Sequence, residues 1–171
     1  MSSRAEPTKT AISTEGTMSK PVVYLAGPVA NVPDGGASWR EIVTERFGDE
    51  IETRNPLDKY NVPAEELRIS ESPHADRDGV VGYADIVESD LELLEESDAV
   101  LVGYEDVQSV GTPMEVRWAY ERDYDVAIWI RDDTGIHDLS PWYLHHASAV
   151  TTSLEMAIRH LTRESEVTAD E

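Results

Sequence analysis

The stretch "DAVLVGYEDVQSVGTPMEVRWAYERDYDVAIWI", residues 98–130, decides the fold. It opens on a continuously apolar run, DAVLVGY (98–104), and crosses a short polar loop. It then enters a helical pattern at TPMEVRWAYERD (112–123) and closes on a second apolar run, YDVAIWI (124–130). Strands without polar alternation are buried on both faces, as in parallel sheets. Two of them joined by a helix make a crossover unit whose strands run the same way.

Outward from this unit the pattern repeats. PVVYLAG (21–27) reads as a buried strand running into a Gly-Pro turn, and ASWREIVTERFGD (37–49) as a helix with Trp39, Ile42, Val43 and Phe47 on its inner side. IETRNP (51–56) is a strand stopped by Pro56, and YADIVESDLELLEES (83–97) a strong helix. ASAVTT (147–152) is a last short strand, and SLEMAIRHLTRE (153–164) the closing helix. Between Leu57 and Gly82 there is no clean period, only Pro63, Pro73 and a helical hint at AEELR. A connection this long in a compact domain is functional or mobile, and a lid is the expectation. No internal repeat is visible.

The alternation predicts an α/β protein: a single-domain, Rossmann- or flavodoxin-like three-layer sandwich around a mostly parallel five-stranded sheet. The domain is expected over 20–164, with a disordered tail at 1–19 and a polar tail at 165–171. Ligands in such sheets bind beyond the carboxyl ends of the strands, which singles out 25–36, 104–115 and 131–148.

Composition narrows the partners. The 171 residues carry 35 Asp and Glu against 14 Lys and Arg, a net charge of -21, and only Lys9, Lys20 and Lys59 are lysines. Such a surface repels nucleic acid and anionic membranes, so neither is an expected partner. The acid-rich, lysine-poor balance resembles that of proteins from salt-loving archaea. It reads as adaptation to a solvent in which salt screens self-repulsion, rather than as an acidic docking surface. With no cysteine there is neither a disulfide framework nor a thiolate metal site. No apolar run approaches a membrane span, and the N-terminus lacks an apolar export core, so the expected location is the cytoplasm. His145 and His146 lack an acid at ligand spacing; packing is expected of them, and no metal. Trp118 and Trp129 are expected in the core. Trp142 reads as core, interface or a platform for stacking a base.

Glu115 carries two readings. Thr112, Pro113 and Glu115 spell a capping box with Pro at the first helical position, and an acid in the first turn suits the helix dipole. The same residue also stands at the carboxyl edge of a central strand, behind a QSVG turn able to present N–H groups to an anion. A carboxylate there can attack a sugar carbon. In the helix over 83–97, Ile86, Asp90, Leu93, Leu94 and Ser97 share one face, so Asp90 falls on the stripe to be buried. A buried acid is neutralised, paired or functional. A rotated helix or a wet helix end explains it equally well.

Three motifs, VYLAGP (23–28), DLELLEESDAVLV (90–102) and SVGTPMEVRWAY (109–120), give the chain its likeness to a known family. Over about residues 21–160 it resembles the nucleoside 2-deoxyribosyltransferases, including their branch of 2'-deoxynucleoside 5'-monophosphate N-glycosidases. The resemblance implies that Glu115 is the nucleophile that attacks C1' and forms a glycosyl-enzyme. It implies that Asp90 handles protons at the base and that Tyr24 orients Glu115. Gly27 and Pro28 would form the turn against the ligand, with Ser109, Gly111 and Met114 also contacting it. Transferases of this family tend to have an aspartate where Ser109 stands, and the monophosphate hydrolases a serine that helps hold the phosphate. The hydrolases also use an arginine near the first turn; AGPVANVPDGG contains none, and Arg40 is the nearest. The family's sites are completed by a neighbouring subunit, which implies a homodimer or larger homo-oligomer with Ser148 reaching across. A nucleoside or nucleotide and a nucleobase are the implied partners, and no cofactor is implied. Oxocarbenium chemistry predicts an ionised Glu115 and an Asp90 of raised pKa. A different class of N-glycosidase, the cytokinin-riboside monophosphate phosphoribohydrolases, shares only Gly111-Thr112-x-x-Glu115 with this chain. A non-catalytic nucleotide-binding domain is the further alternative.

Overall fold

The computed structural model describes residues 19–75 and 77–163. The expected tails, 1–19 and 165–171, lie outside these residues apart from Ser19. In chain order the elements are β1 (Val22–Ala26), α1 (Ala37–Phe47), β2 (Glu52–Arg54), β3 (Arg68–Ser70), β4 (Val80–Gly82) and α2 (Tyr83–Glu95). There follow β5 (Ala99–Tyr104), α3 (Gly111–Glu121), β6 (Asp125–Ile130), α4 (Pro141–His146), β7 (Ala149–Thr151) and α5 (Leu154–Thr162). Five strands form one sheet in the order β2-β1-β5-β6-β7, all parallel, which is the flavodoxin-like arrangement. No helix among the described residues is long and apolar enough to cross a membrane.

Strand alternation sorts the core into two layers. Val23 and Leu25 of β1, Ala99 and Leu101 of β5, and Ala127 of β6 point to one face. There they meet Trp39, Val43 and Phe47 of α1 and Leu154, Ala157, Ile158 and Leu161 of α5. Tyr24, Ala26, Val100, Val102, Val126, Ile128 and Ile130 point to the other face, against Leu94 of α2 and Val116 and Ala119 of α3. Because successive residues of a strand face opposite sides, Tyr24 lies on the α2–α3 face, the one that also holds Asp90 and Glu115. Asp98, the last acid of the middle motif, accepts the backbone N–H of Val22 at 2.8 Å and so ties the start of β1 to β5.

Several local expectations are corrected. Ile42 is exposed, because α1 turns Arg40 inward beside Trp39, Val43 and Phe47. The capping box does not form: α3 starts at Gly111, its N-cap is Val110 without a side-chain cap, and Pro113 falls at the third position. Thr112 is buried, its hydroxyl bonded to that of Ser109 at 3.0 Å. Trp142 is 73% exposed, which removes it from the core. Trp118 and Trp129, expected in the core, are half-buried and pack against its two layers. The stretch 57–82 is not a bare loop. It carries a 3-10 turn at Ala64–Glu66 and the parallel pair β3–β4.

Candidate active site

The strand order reverses between β1 and β5, so the loops leaving their carboxyl ends part and open a crevice. Asn31 donates to the carbonyl of Gln108 at 3.1 Å and bridges the two loops. Beneath them lies a cavity of about 820 Å³, within the range of roughly 300–1,000 Å³ that holds small ligands. One wall comes from the sheet edge and α3: Tyr24, Gly27, Arg40, Ser109, Gly111, Thr112 and Glu115. The other comes from the 56–69 segment and α2: Tyr60, Leu67, Ile69, Ile86 and Asp90 among others.

The structure therefore brings together Tyr24, Gly27, Asp90, Ser109, Gly111 and Glu115. Pro28 and Met114 are not among them, and Ser148, expected to reach a neighbouring subunit's site, does not line the cavity of its own chain. Pro28 is buried behind the turn, Met114 is 67% exposed on the outer side of α3, and neither lines the cavity. Ser148 lies just ahead of β7, at the amino-terminal end of the sheet, opposite to the cavity. Its hydroxyl is occupied by the N–H and carbonyl of Val126 and by His160.

Glu115, the fifth residue of α3, points down into the site, and its Oε1 accepts the hydroxyl of Tyr24 at 2.7 Å. Tyr24 is 0% exposed. A buried hydroxyl without a partner costs about 1–3 kcal/mol, so this bond fixes both side chains. Burial, reinforced by the charges of Glu115 and Asp90, drives the tyrosine hydroxyl far above its ordinary range, so it stays a donor. Glu115 retains an edge towards the cavity but is densely surrounded by protein, and burial pushes its carboxyl up to about 8. The charge of Asp90 adds to this rise, while the Tyr24 bond, Arg40 and Lys59 oppose it. Burial also raises Asp90, but Lys59 bonds it directly and pulls it back. The expectation of an ionised Glu115 and a lone raised Asp90 is thus corrected. Both carboxyls are raised, and Asp90 is the one with a cation in contact.

Two basic residues complete the site. Arg40, 1% exposed, donates from Nε to the Leu25 carbonyl (3.2 Å), from Nη1 to Gly36 (2.9 Å) and from Nη2 to Gly27 (3.0 Å). It lies over the Trp39 ring at 4.6 Å, and burial lowers it to about 10. It gathers onto one buried cation a carbonyl of β1, one of the turn that follows and that of the α1 N-cap. The turn is close-packed: a Cβ at Gly27 would lie 2.9 Å from both the Gly103 carbonyl and the Trp39 ring. Lys59, from the 55–67 segment, bonds Asp90 and also Ser89 Oγ at 2.6 Å. The sequence reading missed the roles of Arg40 and Lys59. Both left a signal: an arginine one residue from Trp39 on the inner face of α1, and a lysine in a chain that has only three.

Neither a protein-family model nor a curated protein matches the chain. Solved structures do. A conserved protein from Enterococcus faecalis V583 superposes with a TM-score of 0.62 at 15% identity, covering 85% of this chain and 99% of the other. A 2-deoxyribosyltransferase from the psychrotolerant bacterium Bacillus psychrosaccharolyticus superposes with a TM-score of 0.46 at 16% identity, covering 80% and 95%. At these identities the likeness is one of fold.

Proposed function

We propose that the chain is a nucleoside 2-deoxyribosyltransferase-like enzyme. It cleaves the N-glycosidic bond of 2'-deoxyribonucleosides through a covalent glycosyl-enzyme on Glu115 and passes the deoxyribose to another nucleobase. The observation that carries this reading is the 2.7 Å bond from buried Tyr24 to Glu115, in a cavity shared with Asp90 at the strand-order reversal. A carboxylate held by one hydrogen bond leaves its second oxygen for C1'. The leaving base needs a proton, and the Asp90 side of the cavity supplies it. Gly27, Ser109 and Gly111 then hold the sugar end. Glu115 attacks only when ionised, so kcat/KM of the free enzyme climbs with pH up to about 8.

A second reading, a 2'-deoxynucleoside 5'-monophosphate N-glycosidase with water as acceptor, is favoured by Ser109 and by an arginine in the cavity wall. Against it, Arg40 already gives three of its N–H groups to backbone carbonyls. A non-catalytic nucleotide-binding domain would bind without releasing base. We extend the proposal to a homo-oligomer, since Val110, Met114 and Trp142 expose apolar surface on and beside α3, and to a cytoplasmic location. The deciding experiment incubates the protein in concentrated salt with a deoxynucleoside or its 5'-monophosphate, with and without a second free base. Exchanged nucleoside identifies the transferase, and free base with free sugar the hydrolase. Ligand binding with neither product overturns the enzymatic reading.

A further inference from the structure

Asp90 is asked to protonate a departing base, yet it accepts the Lys59 ammonium on Oδ1. A carboxylate in an ion pair has no proton of its own to give. The proton nearest to it is on Lys59. Lys59 does not line the cavity, and Asp90 does, so Asp90 stands between the ammonium and any ligand. Each of the two side chains is only about a fifth exposed, at 23% and 21%. Removing an ion pair from water lowers the cost of moving its proton across, since the amine and neutral acid carry no charge to desolvate. Ser89 Oγ accepts a second ammonium hydrogen at 2.6 Å while donating to the Asp85 carbonyl at 2.6 Å. It thereby holds the lysine in register with Asp90.

We infer that Lys59 is the proton store for the departing base, with Asp90 as the relay. The inference rests on the glycosyl-transfer reading above. As the C1'–N bond breaks, its electron pair stays on the base nitrogen and a Glu115 oxygen bonds C1'. The base takes a proton from Asp90, and Asp90 takes one from Lys59. Glu115 ends as a neutral ester, Asp90 as a carboxylate and Lys59 as a neutral amine, so the net charge is unchanged. When the glycosyl-enzyme opens, the acceptor's N–H or O–H gives its proton back through Asp90. Lys59 acts through Asp90 and never touches the substrate.

The test compares Lys59→Met, Lys59→Arg and Asp90→Asn on two probes, each as nucleoside and as 5'-monophosphate. 2'-Deoxyadenosine needs its base protonated to leave; N7-methyl-2'-deoxyguanosine releases a base that needs no proton. All three variants should lose roughly 10²–10⁴-fold on deoxyadenosine, the scale of losing a general acid, and much less on the methylated probe. The double variant Lys59→Met with Asp90→Asn should be no slower than Asp90→Asn alone, since a relay fails as a unit. Arginine keeps the charge and can bond Asp90 and Ser89 but does not release a proton. Recovery of the deoxyadenosine rate in Lys59→Arg therefore overturns the proton store and leaves only a charge. Equal loss on both probes by Lys59→Met, or no loss, overturns it as well. A wild-type protein that releases base from neither probe refutes the glycosyl-transfer reading itself.

Discussion

Replacing Glu115 by Gln should make the protein more stable while it stops working. The glutamate is held at about 8 rather than at its ordinary 4.5. Each pH unit between those values corresponds to 1.36 kcal/mol, so at pH 7 the fold is disfavoured by about 3 kcal/mol relative to a side chain that never ionises. Contact with cavity water reduces this, and about 2 kcal/mol is the expected gain, or roughly 4–8 °C in Tm for a chain of this size. The sign follows from proton binding. The folded state holds the Glu115 proton more tightly than the unfolded state does. For this group, stability is therefore fully present below the ordinary 4.5 and is lost as pH rises through about 8. The glutamine amide oxygen still accepts the Tyr24 hydroxyl. Melts of the two proteins in the same salt at about pH 4.5, 7 and 8.5 should show a gap that is near zero at first and then widens. Base release should fall roughly 10²–10⁴-fold at every pH. A variant that is less stable at about pH 8.5, or a gap that does not change with pH, would refute the claim that burial strains this carboxylate.

Tyr24→Phe removes the one hydrogen bond to the Glu115 side chain among the described residues. Its pKa should rise further, and the ascending limb of kcat/KM against pH should move to higher pH than in the wild type. Arg40→Met removes the side-chain donor from the carbonyls of Leu25, Gly27 and Gly36, and the loss should be about 1–3 kcal/mol in urea melts. Wild-type stability within 1 kcal/mol of it would dismiss the staple role. With a net charge of -21, the protein should melt at higher temperature as KCl rises from about 0.1 M to 1 M, over which the Debye length falls from roughly 10 Å to 3 Å. A flat salt response would remove the solvent-adaptation reading.

The layers of the fold were legible because β1, β5 and β6 are long enough to display unbroken apolar character and α2 to display a helical stripe. Asp90 could be placed on a buried stripe by counting residues, since the helical repeat is fixed by geometry, whereas the layer that Tyr24 joins emerges only from the packed sheet. β3, β4 and α4 were not legible: three residues, or six, are too few for a period to show. Ser140 and Pro141, a capping serine followed by the favoured first-turn proline, were the only trace of α4. Thr112 misled because local propensity prescribed a cap, whereas α3 begins at Gly111 and buries the threonine. The charge states at the site were out of reach for a different reason. They depend on which carboxylate meets Lys59, and that contact spans 31 residues of sequence.

The two walls of the cavity differ in what holds them. Tyr24, Arg40 and Glu115 are set by the five-stranded sheet and the helices pressed on it, where a shift of one residue would turn Tyr24 into the wrong layer. Tyr60, Leu67 and Ile69 hang on turns and a ladder of two three-residue strands, and Ile69 is 67% exposed. Substitutions in this second wall can reshape the space for a ligand with little strain on the sheet. On the proposed function, Asp90 and Lys59 tie this wall to the chemistry, but its apolar lining at Leu67 and Ile69 can vary on its own: a lineage can change its diet without relearning how to chew.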